Sequence, residues 1–87
     1  MIVYFHKNFE KQFAKLPQKI RAQFKKRRDV FLSDPYDPLL NNHALQGPLE
    51  GYRSINVTGD FRAIYKHLAE KAVEFVDIDT HHNLFGS

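Results

Sequence analysis

An α+β fold, with two N-terminal helices packed on an antiparallel β-sheet in the order β-α-α-β-β-β, is predicted by three features of the sequence. Residues 8–33 carry apolar side chains at helical spacing, whereas residues 51–68 and 72–80 are strand-like runs of β-branched, aromatic and alternating residues. Strands adjacent in the chain are joined by short turns, at Thr58-Gly59-Asp60 and Glu70-Lys71, which favours antiparallel neighbours with the helices on one face. At 87 residues the chain makes one domain, spanning 1–87.

The elements follow in order. Residues 2–5 are a short apolar run consistent with a first strand. Asn8 is placed to cap a helix with Glu10 in its first turn and Phe9, Phe13 and Leu16 on one face. Pro17 ends that helix and can start the next, which carries Ile20, Phe24, Val30 and Phe31 and stops before Ser33-Asp34-Pro35. Its outward face holds Lys19, Lys25, Lys26, Arg27 and Arg28. Such a run is either a solvated face or a surface that lies along an RNA backbone. Pro35 to Pro48 loses periodicity and reads as a long connecting loop. The last strand, residues 72–80, alternates apolar and acidic side chains, and Leu84 and Phe85 of the tail are expected to pack back on the domain.

Composition narrows the function classes. Cysteine is absent, which excludes disulfides, thiol catalysis and thiolate zinc sites. Eight Phe and four Tyr supply enough buried area for a core without staples. A net charge of +3 and a pI near 9.3 favour an anionic partner. No signal peptide or membrane span is visible, so a soluble, cytoplasmic protein with no membrane partner is expected.

The hairpin of residues 51–68 organises the chain. Gly59 is able to supply a positive φ to a tight turn. With a two-residue Thr58-Gly59 turn, Arg53 and Arg62 project to the same face and offer two guanidinium forks to an anion. The alternative is an ion pair from these arginines to Glu74, Asp77 or Asp79. Groups able to move protons near neutral pH are His43 in the long loop, Asp60 in the turn, and His81 with His82 after the last strand. Antiparallel pairing of the last two strands brings Asp60 close to His81. A histidine near a carboxylate, arginines and an aromatic ring meets the needs of metal-free RNA cleavage. A base activates the ribose 2′-hydroxyl, an acid protonates the leaving 5′-oxygen, cations stabilise the transition state, and the ring stacks on a base. The bland alternatives are a surface role for His43 and a local turn role for Asp60. His6 and His67 are assigned no function. No metal or other cofactor is expected, because His81 and His82 point apart and lack a spaced third ligand.

Four segments carry a family resemblance: His43-Ala44-Leu45-Gln46-Gly47, Gly51-Tyr52-Arg53, Asp60-Phe61-Arg62-Ala63-Ile64-Tyr65-Lys66, and Thr80-His81-His82-Asn83-Leu84-Phe85-Gly86. In order and spacing, over nearly the whole chain, they resemble the RelE/ParE superfamily of bacterial toxins and, within it, the YafQ-like messenger-RNA interferases. The resemblance implies a microbial-ribonuclease-like α+β fold, cleavage of mRNA on the ribosome, and a cognate antitoxin in a toxin–antitoxin hetero-oligomer. It implies that His43, Asp60 and His81 are catalytic, that Phe85 stacks on a base, and that Arg53 and Arg62 bind substrate. Where the YafQ pattern has a further histidine, this chain has Asn56, a hydrogen-bonding residue grouped with the substrate contacts. The alternatives are a ParE-like, non-catalytic toxin that blocks a protein such as DNA gyrase, and a degenerate toxin that only binds its antitoxin.

Overall fold

The computed structural model describes residues 1–86. Its elements are β1 (Ile2–Phe5), α1 (Lys7–Ala14), α2 (Gln18–Ser33), β2 (His43–Ala44), β3 (Arg53–Asn56), β4 (Phe61–Ala69), β5 (Ala72–Thr80) and α3 (His81–Phe85), with 3₁₀ turns at Pro38–Leu40 and Gly47–Leu49. The α+β class and the β-α-α-β-β-β framework are as expected, with β2 and α3 added. The sheet order is β1-β5-β4-β3-β2. It is mixed rather than wholly antiparallel, because β1 lies parallel to β5, with Ile2 opposite Ala72 and Phe5 opposite Phe75. The two helices between β1 and the rest of the sheet give the chain room to return in the same direction, which a hairpin could not do.

Local chemistry sets the helix ends. The cap of α1 is His6, not Asn8: the His6 Nδ1 accepts the Asn8 backbone N–H at 2.9 Å. Asn8 instead uses its amide to tie α1 to β5, donating to the Val76 carbonyl at 2.9 Å. Pro17 stands at the N-cap of α2, one residue outside the helix.

The apolar faces of α1 and α2 meet one face of the sheet. Phe9, Phe24, Phe31, Ile55, Tyr65 and Phe75 belong to the continuous core, with Phe13, Leu16, Ile20 and Val30 packed against it. Phe75 is its centre, with ring centroids of Phe5, Phe9, Phe24, Phe31 and Tyr65 between 5.4 and 6.0 Å away. Burying each such ring contributes about 1.5–3 kcal/mol, so this cluster holds the helices to the sheet. The opposite face carries Ser54, Asn56, Arg62 and Ile64, and that face bears the site described next. No helix among the described residues is long and apolar enough to cross a membrane.

Candidate functional site

His43 lies on β2, at the edge of the sheet, rather than in an irregular loop. Its Cα partner on β3 is Ser54, so the two side chains share a face. Asn41 precedes it in the left-handed conformation, φ 44°, and the His43 Nδ1 sits 2.8 Å from the Asn41 carbonyl. A carbonyl only accepts, so this contact requires a proton on Nδ1, and in the neutral ring the lone pair is then on Nε2.

The hairpin between β3 and β4 is closed by a three-residue loop, not a two-residue one. The Val57 N–H reaches the Phe61 carbonyl at 3.0 Å, and the Thr58 hydroxyl accepts from the Asp60 and Phe61 N–H groups at 3.2 and 3.0 Å. Gly59 is not among the positive-φ glycines, which are Gly47, Gly51 and Gly86. The extra residue slips the register by one: Arg62 faces Asn56, and Arg53 faces Tyr65. The two arginines therefore occupy opposite faces, which corrects the expectation that they form one pair of forks.

Each arginine has its own surroundings. The Arg62 Nη1 donates to the carbonyls of Thr58, Gly59 and Phe61 at 2.9, 3.0 and 3.1 Å, leaving Nε and Nη2 outside that set of bonds. Arg53 lies on the helix side, with its Nε donating to Asn42 Oδ1 at 2.9 Å and its guanidinium over the Tyr36 ring at 5.6 Å. Ion pairing to the β5 carboxylates does not account for either arginine. Among the described residues the ion pairs are Lys66–Glu74 and Arg28–Asp29. Asn56, across from Arg62, has a buried Oδ1 without a hydrogen-bond partner and lines neither of the clefts described below.

The hairpin loop also holds the end of β5. The His81 N–H donates to the Asp60 carbonyl at 2.7 Å, at the junction of β5 and α3. Thr80 caps α3 by accepting the Asn83 N–H at 3.1 Å, and Gly86 closes the helix at φ 75°. One turn of helix brings His81 and Phe85 together edge to face, with centroids 4.8 Å apart.

A cleft of about 330 Å³ collects Asn41, His43, Ser54, Arg62, His81 and Phe85. A second, of about 560 Å³, is lined by Gly59, Asp60, Arg62, Thr80, His81 and His82. Arg62 and His81 line both, so the two clefts adjoin at these side chains, and Asp60 belongs to the second. The fold thus places five of the seven residues singled out from sequence, His43, Asp60, Arg62, His81 and Phe85, on these two clefts, sets Asn56 across the strand from Arg62 on the same face without lining either, and puts Arg53 on the opposite face. Asn41 and Ser54 were missed. Ser54 is fully buried with an unpartnered hydroxyl, and only the strand register could have shown that it faces the cleft. No group of three or more His, Asp or Glu placed to hold a metal ion occurs among the described residues. On the same face, burial pushes the Asp77 carboxyl above its ordinary value of 3.8, opposed by the Ile78 N–H bond and reinforced by the neighbouring Asp79.

A family model described as the ParE toxin of the type II toxin–antitoxin system, parDE, matches residues 3–85. None of the curated proteins matches the chain. Among solved structures, YafQ from E. coli strain BL21(DE3) is 29% identical, covers 97% of each chain and superposes with a TM-score of 0.78. The E. coli DinJ–YafQ toxin–antitoxin complex matches at 29% identity over 97% of this chain and 96% of that one, with a TM-score of 0.74. A YoeB/ParE toxin from Agrobacterium tumefaciens shares the fold at a TM-score of 0.76, with 15% identity over 93% of this chain and 99% of that one.

Proposed function

The chain belongs to the ParE toxin family of type II toxin–antitoxin systems, within the RelE/ParE superfamily, and from that premise we propose that this toxin is an endoribonuclease that cuts messenger RNA by acid–base catalysis. The observation that supports catalysis is the convergence of His43, Arg62, His81 and Phe85 on one cleft, with Asp60 beside His81 in the adjoining one.

Each residue then has a task. The His43 Nε2, its other nitrogen occupied by the Asn41 carbonyl, takes the proton of a ribose 2′-hydroxyl. The 2′-oxygen attacks the adjacent phosphorus, the bond to the 5′-oxygen breaks, and a 2′,3′-cyclic phosphate forms. Protonated His81 gives its proton to the departing 5′-oxygen. The uncommitted side of the Arg62 guanidinium opposes the charge that builds on the phosphate oxygens. The Asp60 carbonyl anchors the His81 backbone, and both residues line the second cleft. Phe85 stacks on a base. A cleft of about 330 Å³ falls within the range of small-ligand sites, roughly 300–1,000 Å³. The proposed partners are mRNA on the ribosome and a cognate antitoxin in a hetero-oligomer, as in the DinJ–YafQ toxin–antitoxin complex.

A second reading is favoured by two observations. The matching family model is that of ParE, and Asn56 stands where the YafQ-like pattern has a histidine. On that reading the chain is a non-catalytic toxin that binds a protein target. Primer extension on mRNA briefly exposed to wild type and to His81→Ala separates the two. The catalytic reading expects discrete cuts with wild type, reduced about a hundredfold or more in the variant. Equal toxicity of both proteins without any cut would establish the binding reading instead.

A further inference from the structure

The segment that carries His43 is clamped from the other side of the sheet. Whereas Asn41 and His43 line the cleft, Asn42 between them turns toward the helices. There its Nδ2 donates to the Pro35 carbonyl at 2.9 Å and to the Tyr65 hydroxyl at 2.8 Å, while its Oδ1 accepts from Arg53 Nε at 2.9 Å. Two of the three partners sit on the sheet, and the third on the turn that leaves α2. Pro35 follows the end of α2, Arg53 starts β3, and Tyr65 is a core residue of β4 that is 1% exposed. Burial also pushes the Tyr65 hydroxyl above its ordinary value of 10.0, so it stays protonated through the neutral range.

The neighbour of this amide is the C-cap of the Pro38–Leu40 turn. Asn41 holds φ 44°, a left-handed conformation that asparagine adopts more readily than other side-chain-bearing residues. Asn41 itself is tied by an N–H bond of 3.3 Å to Pro38, which is weak. The three bonds of Asn42 are much the stronger restraint on the local backbone, and the carbonyl that meets His43 Nδ1 belongs to the peptide joining Asn41 to Asn42.

We propose that Asn42 is a positioning residue for His43. Its amide, held by Arg53, Tyr65 and Pro35, fixes the peptide whose carbonyl keeps the imidazole proton on Nδ1, and so aims the Nε2 lone pair into the cleft. The inference rests on the reading of His43 as the base in RNA cleavage, and it gives Arg53 a different role from phosphate binding. Arg53 acts from the opposite face of the sheet, as part of the clamp. The arrangement is analogous to that of a metal-ligating histidine whose second nitrogen is fixed by an outer partner, where loss of the partner costs roughly 10–100-fold.

The test combines a spectroscopic and a kinetic readout. In ¹⁵N-labelled protein, long-range proton–nitrogen correlations report which ring nitrogen of His43 carries the proton. Wild type should show the Nδ1–H form near pH 8. Asn42→Ala should show a mixture of both forms and lower RNA cleavage about tenfold. Tyr65→Phe, which keeps the buried ring and removes one of the three bonds, should shift the mixture in the same direction by a smaller amount. It carries the test if Asn42→Ala does not fold. Added to His43→Gln, Asn42→Ala should cause no further loss, because its whole effect passes through His43. A His43 tautomer unchanged in both variants, or an equal loss in the His43→Gln background, would overturn the proposal. Absence of RNA cleavage by wild type would count against the ribonuclease reading alone, since the tautomer is measured without substrate.

Discussion

Replacing Phe85 with Leu separates the base-stacking role from a packing role. The ring is half-buried, is outside the main core, and meets His81 edge to face at 4.8 Å. Such a pair contributes about 0.5–1.5 kcal/mol beyond area burial, and leucine retains much of the apolar volume. The expected loss of stability is therefore below about 1.5 kcal/mol. A base stacked on an aromatic ring contributes about 1–3 kcal/mol, and each 1.4 kcal/mol is a factor of ten. Phe85→Leu should lower kcat/KM for RNA cleavage by about fivefold to 150-fold while the protein stays folded. The assay is cleavage of a defined mRNA in a translation reaction at subsaturating substrate, alongside urea denaturation followed by circular dichroism. Cleavage at the wild-type rate would refute the stacking role. A loss of stability of several kcal/mol, with activity following the folded fraction, would show that the ring is a core residue.

Two further perturbations test neighbouring parts of the argument. Gly86→Ala puts a side chain on a residue at φ 75°; the built Cβ meets no described atom within 4 Å, so the cost is backbone strain of about 1–2 kcal/mol. Because no α3 residue belongs to the core cluster, activity should fall several-fold while the core unfolds at nearly the wild-type denaturant midpoint, and equal loss of both would contradict this. Asp77→Asn tests the half-buried carboxyl. Its folded-state pKa is raised, so its contribution to stability is fully present below about pH 3.8 and is lost as pH rises through the raised value. The variant should therefore melt higher than wild type at pH 7 and lose that advantage at pH 3; a lower melting temperature at pH 7 would show that the charged carboxylate is stabilising.

The parts of the fold that depend on local periodicity were legible in the sequence. Phe9 and Phe13, and Phe24 and Phe31, declare the face they bury, as does β5 as far as Phe75, beyond which an irregularity at Val76 moves the buried position to Ile78. Asp60 and His81 could be placed together because antiparallel neighbours of β4 and β5 must meet at that end of the sheet. The relation of Arg53 to Arg62 was not legible. It depends on whether the loop at Thr58 has two residues or three, and the two Thr58 hydroxyl bonds that decide it leave no mark in composition. The β1–β5 parallel pairing was likewise out of reach, because a four-residue apolar run has no direction. Asn42 reads as an ordinary loop residue. Its partners, Pro35, Arg53 and Tyr65, lie up to 23 positions away and come together only in the folded chain.

The most direct test of the account is the chemistry of the RNA ends. Fragments from a translation reaction exposed to the wild-type toxin can be read by mass spectrometry. Attack by the 2′-oxygen predicts a 2′,3′-cyclic phosphate, or the 3′-phosphate it hydrolyses to, on the upstream fragment and a 5′-hydroxyl on the downstream one. Both should be lost together in His43→Gln and His81→Ala. Upstream 3′-hydroxyl and downstream 5′-phosphate ends, or arrest of translation with the message intact, would contradict it.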